Sequence, residues 1–228
     1  MEPIDGLTLS EYQKEQVCIK LEDVKFFAAK ALVLLDYLHQ QRIIYRDLKT
    51  ENIIIDQSSG EIKFVDLGFA KDLSRSSRQG QHDRTFTKCG TPGYTAPEVL
   101  LCEEVSSTFN IRGDISKTGS PLKTSLSRAR SNALVSKQAT KQSWKAPPSD
   151  YGLSGSGGYS YPADVWSWGV LVCELIGGFN PFQGATVQET LQNISRIQVN
   201  WPRNLDTTSS QMLQAIFQRD PALRPTLQ

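Results

Sequence analysis

Four side chains that can act together on an anionic group, Asp47, Lys49, Asn52 and Asp66, fall within a single short stretch of this chain. A carboxylate such as Asp47 can accept the proton of a hydroxyl, and Lys49, two residues on, can neutralise negative charge beside it. Asn52 precedes the apolar run Ile53-Ile54-Ile55, and Asp66 follows a second run, Ile62-Lys63-Phe64-Val65, with the turn-rich stretch Asp56-Gln57-Ser58-Ser59-Gly60 between them. Short β-branched and aromatic runs separated in this way predict an antiparallel hairpin. Antiparallel pairing returns Asp66 to the end where Asn52 lies, so an amide oxygen and a carboxylate can bind one divalent cation between them.

Two helices should position this hairpin. From Leu21 to Gln41, Val24, Phe27, Ala28, Ala31, Leu35 and Leu38 recur at steps of three and four, which predicts a long helix burying one face. A second helix should start near Tyr161-Pro162 and pass Asp164, ending after Leu175-Ile176 at Gly177-Gly178. Its apolar residues lie on nearly every side, so it should be central.

The whole chain has 228 residues, 39% hydrophobic and 21% charged, and a net charge of +1. That balance fits a folded protein and gives no reason to expect nucleic acid or an anionic membrane as partner. Four widely spaced cysteines and two histidines form no metal-binding pattern, and free thiols point to a reducing compartment. The first twenty residues lack the apolar core of a signal peptide, and no run reaches the roughly 20 apolar residues of a membrane span. A cytoplasmic, soluble protein is expected. Residues 106–149 carry eight basic residues against Asp114 alone, a local charge of +7, with weak periodicity, which predicts disorder.

The phrases IIYRDLKTENIIID, VDLGFAK, TFTKCGTPGYTAPEVL, YPADVWSWGVLVCELIGG and RDPALRPT occur in that order. Together they resemble eukaryotic protein kinases of the AGC group, most closely the cyclic-nucleotide-dependent kinases, over roughly residues 20–100 and 158–226. The resemblance implies a serine/threonine kinase that uses ATP and Mg2+ and acts on proteins with basic residues near the phosphorylated Ser or Thr. A non-catalytic kinase-like lobe acting as a binding module is the alternative. The resemblance implies Asp47 as the catalytic base, Lys49 as the phosphate contact and Thr91 as the residue bridging the two. Asn52 and Asp66 become the metal ligands, with Ile4 and Ile54 as further nucleotide-binding residues. Thr87 resembles an activation-loop phosphosite paired with Arg46 and Lys71, and Glu51 with Glu174 resembles a site for a substrate arginine. Glu98 and Arg224 resemble a buried ion pair, and Asp164 a residue holding the catalytic-loop backbone. Cys89 reads as a packed loop thiol.

The departures are specific. Leu67 stands for the usual Phe, Thr50 for Pro, Gly93 for Glu, and Thr8 where an acidic residue would help to bind ribose. No G-x-G-x-x-G and no V-A-I-K lysine precede Asp47. The fold class expected from this is mainly α (α+β), a kinase-like C-terminal lobe with a small catalytic β-hairpin and the N-terminal lobe absent. The expected organisation is a hinge remnant at 1–9, a lobe at 10–100, a basic insert at 101–157, and the lobe continued at 158–228 and truncated at its end. A chain so built should have little kinase activity alone.

Overall fold

The computed structural model describes residues 4–16, 19–74, 83–102 and 158–227. The expected disorder of 106–149, and a basic phosphosite expected at Arg128-Ala129-Arg130-Ser131, lie outside the described residues. So do the first three residues of the expected hinge.

Helix α2 (Leu21–Gln40) forms where the three-and-four spacing places it and buries Val24, Phe27, Ala28, Ala31 and Leu35. It packs against α4 (Pro162–Gly177), and the indole Nε1 of Trp168 on α4 donates to the Ala28 carbonyl at 2.8 Å. Thirteen of the sixteen α4 residues are buried, as its all-round apolar pattern requires. Pro162 suits the first turn, where its missing N–H costs nothing, and Gly178 closes the helix at φ 77°, a left-handed position that a side chain would strain. Three further helices flank this pair: α3 (Pro97–Leu100), α5 (Val187–Arg196) and α6 (Thr207–Ile216).

Strands β3 (Ile53–Asp56) and β4 (Ile62–Phe64) make the expected hairpin, with Ile53 opposite Phe64 and Ile55 opposite Ile62. The hairpin is not alone. Strand β1 (Gly6–Thr8) pairs antiparallel with the other edge of β3, Gly6 opposite Asp56 and Thr8 opposite Ile54, giving a sheet of order β1-β3-β4. Directly after it comes α1 (Leu9–Glu15), capped by Thr8, whose hydroxyl accepts from the Glu11 amide while the Glu11 carboxylate accepts from the Thr8 amide. A second antiparallel pair joins β2 (Ile43–Ile44) to β5 (Lys71–Asp72).

This corrects the expected fold class. A C-terminal lobe with one hairpin and no N-terminal strands is not what forms, because the chain opens with a strand that completes a three-stranded sheet. The physical reason is that the free edge of β3 offers unpaired backbone groups, and Gly6–Thr8 satisfies them. Three residues are too few for a period-two signal, so the sequence reads only as a hinge. Gly6 is also the residue that allows the approach, since a Cβ there would lie 2.2 Å from the Ile55 carbonyl oxygen.

Candidate active site

The loop after β2 is held from below by Asp164 in the first turn of α4. Its fully buried carboxylate accepts the backbone N–H of Tyr45 (2.8 Å, Oδ2) and of Arg46 (2.8 Å, Oδ1), and its Oδ2 also lies 2.9 Å from Nε2 of His39. Backbone amides fixed by a carboxylate hold a conformation the chain would not otherwise keep: Arg46 sits at φ 72°, left-handed for a non-glycine residue. Asp47 follows it immediately.

The Asp47 carboxylate is 3% exposed and fully engaged. Its Oδ2 accepts Lys49 Nζ and Asn52 Nδ2, each at 2.8 Å, and its Oδ1 accepts the Thr91 hydroxyl at 2.6 Å. Lys49 Nζ also donates to Thr91 Oγ1 at 2.8 Å, and Asn52 Nδ2 to the Asp47 carbonyl at 2.8 Å. Thus four expected residues, Asp47, Lys49, Asn52 and Thr91, are brought into one charge-assisted cluster.

Asp66 lies across the hairpin at its open end. The Val65 amide donates to the Asn52 carbonyl at 2.9 Å, so the residues flanking Asp66 abut Asn52 as antiparallel pairing requires. Asp66 is exposed, takes φ 59°, and accepts the Gly68 amide at 3.2 Å. Among the described residues there is no group of three or more acidic, His or Cys side chains able to hold a metal. Asn52, whose amide nitrogen is spent on Asp47, offers an oxygen, and Asp66 offers a carboxylate. Two protein oxygens suit Mg2+, which keeps water and substrate phosphate for its remaining positions. Ile54 is half-buried on β3 beside β1, and Ile4 is half-buried just before β1.

Arg46 and Lys71 converge, but on Thr85 rather than Thr87. Lys71 Nζ reaches Thr85 Oγ1 at 3.0 Å and Arg46 Nη1 reaches it at 3.5 Å, with Thr85 fully buried. Thr87 is exposed two residues further on.

Glu51 is exposed and Glu174 half-buried. Burial raises the Glu174 carboxyl above the ordinary glutamate value, and the Glu51 charge acts in the same direction. The Tyr94 hydroxyl donates to Glu174, and the Thr50 hydroxyl lies 3.3 Å from Glu51. Elsewhere, Glu98 and Arg224 form a two-pronged pair at 2.6 and 2.7 Å, with Arg224 also donating to the Pro162 and Gln218 carbonyls. Thr8 caps α1. The thiols of Cys102 and Cys173 are pushed by burial up to about 11 and about 12, which fits packed, unreactive thiols.

Three residues of this region were not legible in advance. In the sequence His39 is only one of two histidines that form no metal-binding pattern, and Tyr94 carries no role of its own within TFTKCGTPGYTAPEVL. Tyr159 follows a glycine-rich stretch that gives it no pattern. A tyrosine just before an α4-type helix carries no signal until the fold brings it to the activation segment.

The protein kinase domain family model matches residues 1–113 and 125–228, and this chain belongs to that family. The match spans the chain from its first strand, which completes the correction of the fold class. It is a kinase domain with an N-terminal β-sheet followed by helices. Human ribosomal protein S6 kinase alpha-1 is 31% identical over 210 residues, 92% of this chain and 20% of that protein. The cAMP-dependent protein kinase catalytic subunit of Schizosaccharomyces pombe is 30% identical over 200 residues, 88% of this chain and 27% of that protein. The chain therefore spans about a fifth to a quarter of the length of these relatives. The similarity to AGC kinases is thus distant but runs over most of the chain. No helix among the described residues is long and apolar enough to cross a membrane.

Proposed function

We propose that this chain carries the catalytic centre of a serine/threonine kinase that transfers the γ-phosphate of ATP to protein hydroxyls. The observation that carries the reading is the Asp47 carboxylate pinned between Lys49, Asn52 and Thr91. In that arrangement Asp47 orients a serine or threonine hydroxyl and takes its proton as the oxygen bonds to the γ-phosphorus and the bridge to ADP breaks. Lys49 stands beside Asp47 to offset charge on the phosphoryl group. Mg2+, when bound, neutralises the phosphates, and Asn52 with Asp66 would hold it. Thr91 ties base to lysine so that neither pays for ordering at the moment of reaction.

Glu51 and Glu174 are the proposed recognition site for a substrate arginine two residues before the acceptor. Each charge-assisted bond to a guanidinium contributes about 1.5–3 kcal/mol, enough for tenfold selectivity or more. Thr87 is the proposed activating phosphosite, whose phosphate would draw Arg46 and Lys71 from the nearby Thr85 hydroxyl to which they bond in the unmodified chain. Because the relatives are far longer than this chain, the assay uses the full-length gene product. A peptide library with ATP and Mg2+ should show Ser/Thr phosphorylation favoured by an arginine two residues upstream. Glu51→Ala and Glu174→Ala should each weaken that preference about tenfold. Phosphorylation that ignores upstream arginine in the wild type, or an unchanged preference in both variants, would remove this site from the account.

A further inference from the structure

At Gly158-Tyr159 the chain grips the activation segment. Tyr159 and Thr85 form an antiparallel bridge with both backbone bonds at 2.8 Å. The Tyr159 ring is buried, 3% exposed, and its hydroxyl donates to the Thr87 carbonyl at 2.6 Å. The same hydroxyl lies 3.4 Å from Arg46 Nη1 and 3.5 Å from the Cys89 sulfur. Gly158 is required for the approach: at φ 62°, a Cβ would meet the Phe86 ring at 2.8 Å and the Thr85 carbonyl oxygen at 2.9 Å.

Arg46 is the residue before the proposed base, and its guanidinium is shared among the Phe69 carbonyl, Thr85 Oγ1 and Tyr159 Oη. On Thr87 a phosphate would bring two negative charges and three acceptor oxygens to the end of the segment that Arg46 and Lys71 already approach. Without it, the Thr85 hydroxyl takes the bonds from Lys71 and Arg46, and the Tyr159 hydroxyl donates to the backbone of Thr87 itself. Thr91, which bonds to Asp47, lies only four residues beyond Thr87.

We infer that Tyr159 is a positioning residue whose hydroxyl holds the activation segment and Arg46 in the competent arrangement while Thr87 is unphosphorylated, a role that phosphate then takes over. The inference rests on the kinase reading and on Thr87 as its phosphosite. Burial and the neighbouring Cys89 sulfur raise the tyrosine, so the hydroxyl keeps its proton and stays a donor throughout the working pH range.

The test is a Tyr159→Phe variant of the full-length protein, which keeps the ring in its slot and deletes only the hydroxyl. It is compared with wild type, each prepared unmodified at Thr87 and phosphorylated there. In the unmodified form the variant should lose on the order of tenfold in kcat, the loss expected when about one hydrogen bond is removed from the productive arrangement, with KM for ATP unmoved. In the phosphorylated form the loss should be under about twofold. Equal loss in both forms, as a general packing defect would give, or no loss in either, overturns the inference. Amide exchange at Thr87–Cys89 is the second measurement, read whether or not transfer is detected. Faster exchange in the unmodified variant alone supports the inference, and unchanged exchange overturns it. A wild type without transfer, or one indifferent to Thr87 phosphorylation, sinks the reading on which the inference rests and leaves the exchange result to decide the hydroxyl's role.

Discussion

At the scale of single residues, the site works by exhausting the choices of each polar group. Asp47 has three side-chain partners and Asp164 two backbone amides and an imidazole, so neither carboxylate has another low-energy orientation. Glu174 is the exception, a half-buried acid with a tyrosine donor but a like charge nearby, and its raised titration makes a prediction with a definite sign. The proposed recognition of a substrate arginine needs the ionised carboxylate. As pH falls through the raised value, Glu174 takes up a proton while an ordinary glutamate would remain charged. The KM ratio between peptides with and without the upstream arginine should therefore shrink toward one across that window, and Glu174→Gln should give a small ratio that no longer changes with pH. Stability follows the opposite course. The folded state binds this proton more tightly than the unfolded chain, so the contribution is greatest below the ordinary glutamate value and is lost as pH rises through the raised one. Urea midpoints of wild type and Glu174→Gln, measured across that window, check the sign: only the wild type should lose stability on this account.

At the scale of elements, two devices brace the lobe. The α2–α4 pair supplies the apolar platform, and the ion pair Glu98–Arg224 fastens α3 to the segment after α6. Both side chains are withdrawn from water, 9% and 0% exposed, and Arg224 also stacks 5.1 Å over the Trp166 ring. Removing one partner leaves a buried charge without its counterion, so Arg224→Met should cost about 3–5 kcal/mol in denaturant unfolding. Adding Glu98→Gln to it should recover part of that loss, because the stranded carboxylate is gone, and a double-mutant cycle measures the coupling. Two independent, additive losses would show that the pair is not coupled. Trp166 beside them has an indole N–H that is buried with no hydrogen-bond partner among the described residues, and the guanidinium and the Phe182 ring stacked at 5.0 Å are its neighbours.

At the scale of the whole molecule, the elements with a strong periodic signal were legible in the sequence and the short ones were not. The long helix at 21–40, the central helix at 162–177 and the hairpin all stand within a residue or two of their predicted bounds. Each has a repeat long enough to be read: five buried residues at helical steps, an apolar surround, two runs flanking a turn. Strand β1 has three residues and no such repeat, and its pairing is fixed by an edge of β3 that exists only after folding. The site divides in the same way. Asp47, Lys49, Asn52 and Thr91 belong to dense local phrases and meet in space, whereas Tyr159 and His39 gain their importance from partners 72 and 125 residues away. The pairing of Arg46 and Lys71 on Thr85 rather than Thr87 was likewise invisible, because the sequence names the cations without saying which hydroxyl lies between them.

The claim on which the rest depends is that the engaged carboxylate of Asp47 accepts the proton in phosphoryl transfer. Asp47→Asn keeps the size of the side chain and one accepting oxygen, and removes the charge and basicity together with one acceptor, since the amide nitrogen donates. The decisive measurement is kcat for transfer from ATP to an arginine-containing serine peptide by the full-length protein, wild type against Asp47→Asn, with nucleotide affinity measured alongside. The account predicts a fall of about 10²–10⁴-fold in kcat with Mg-ATP affinity essentially unchanged. A variant that transfers phosphate at the wild-type rate would contradict it.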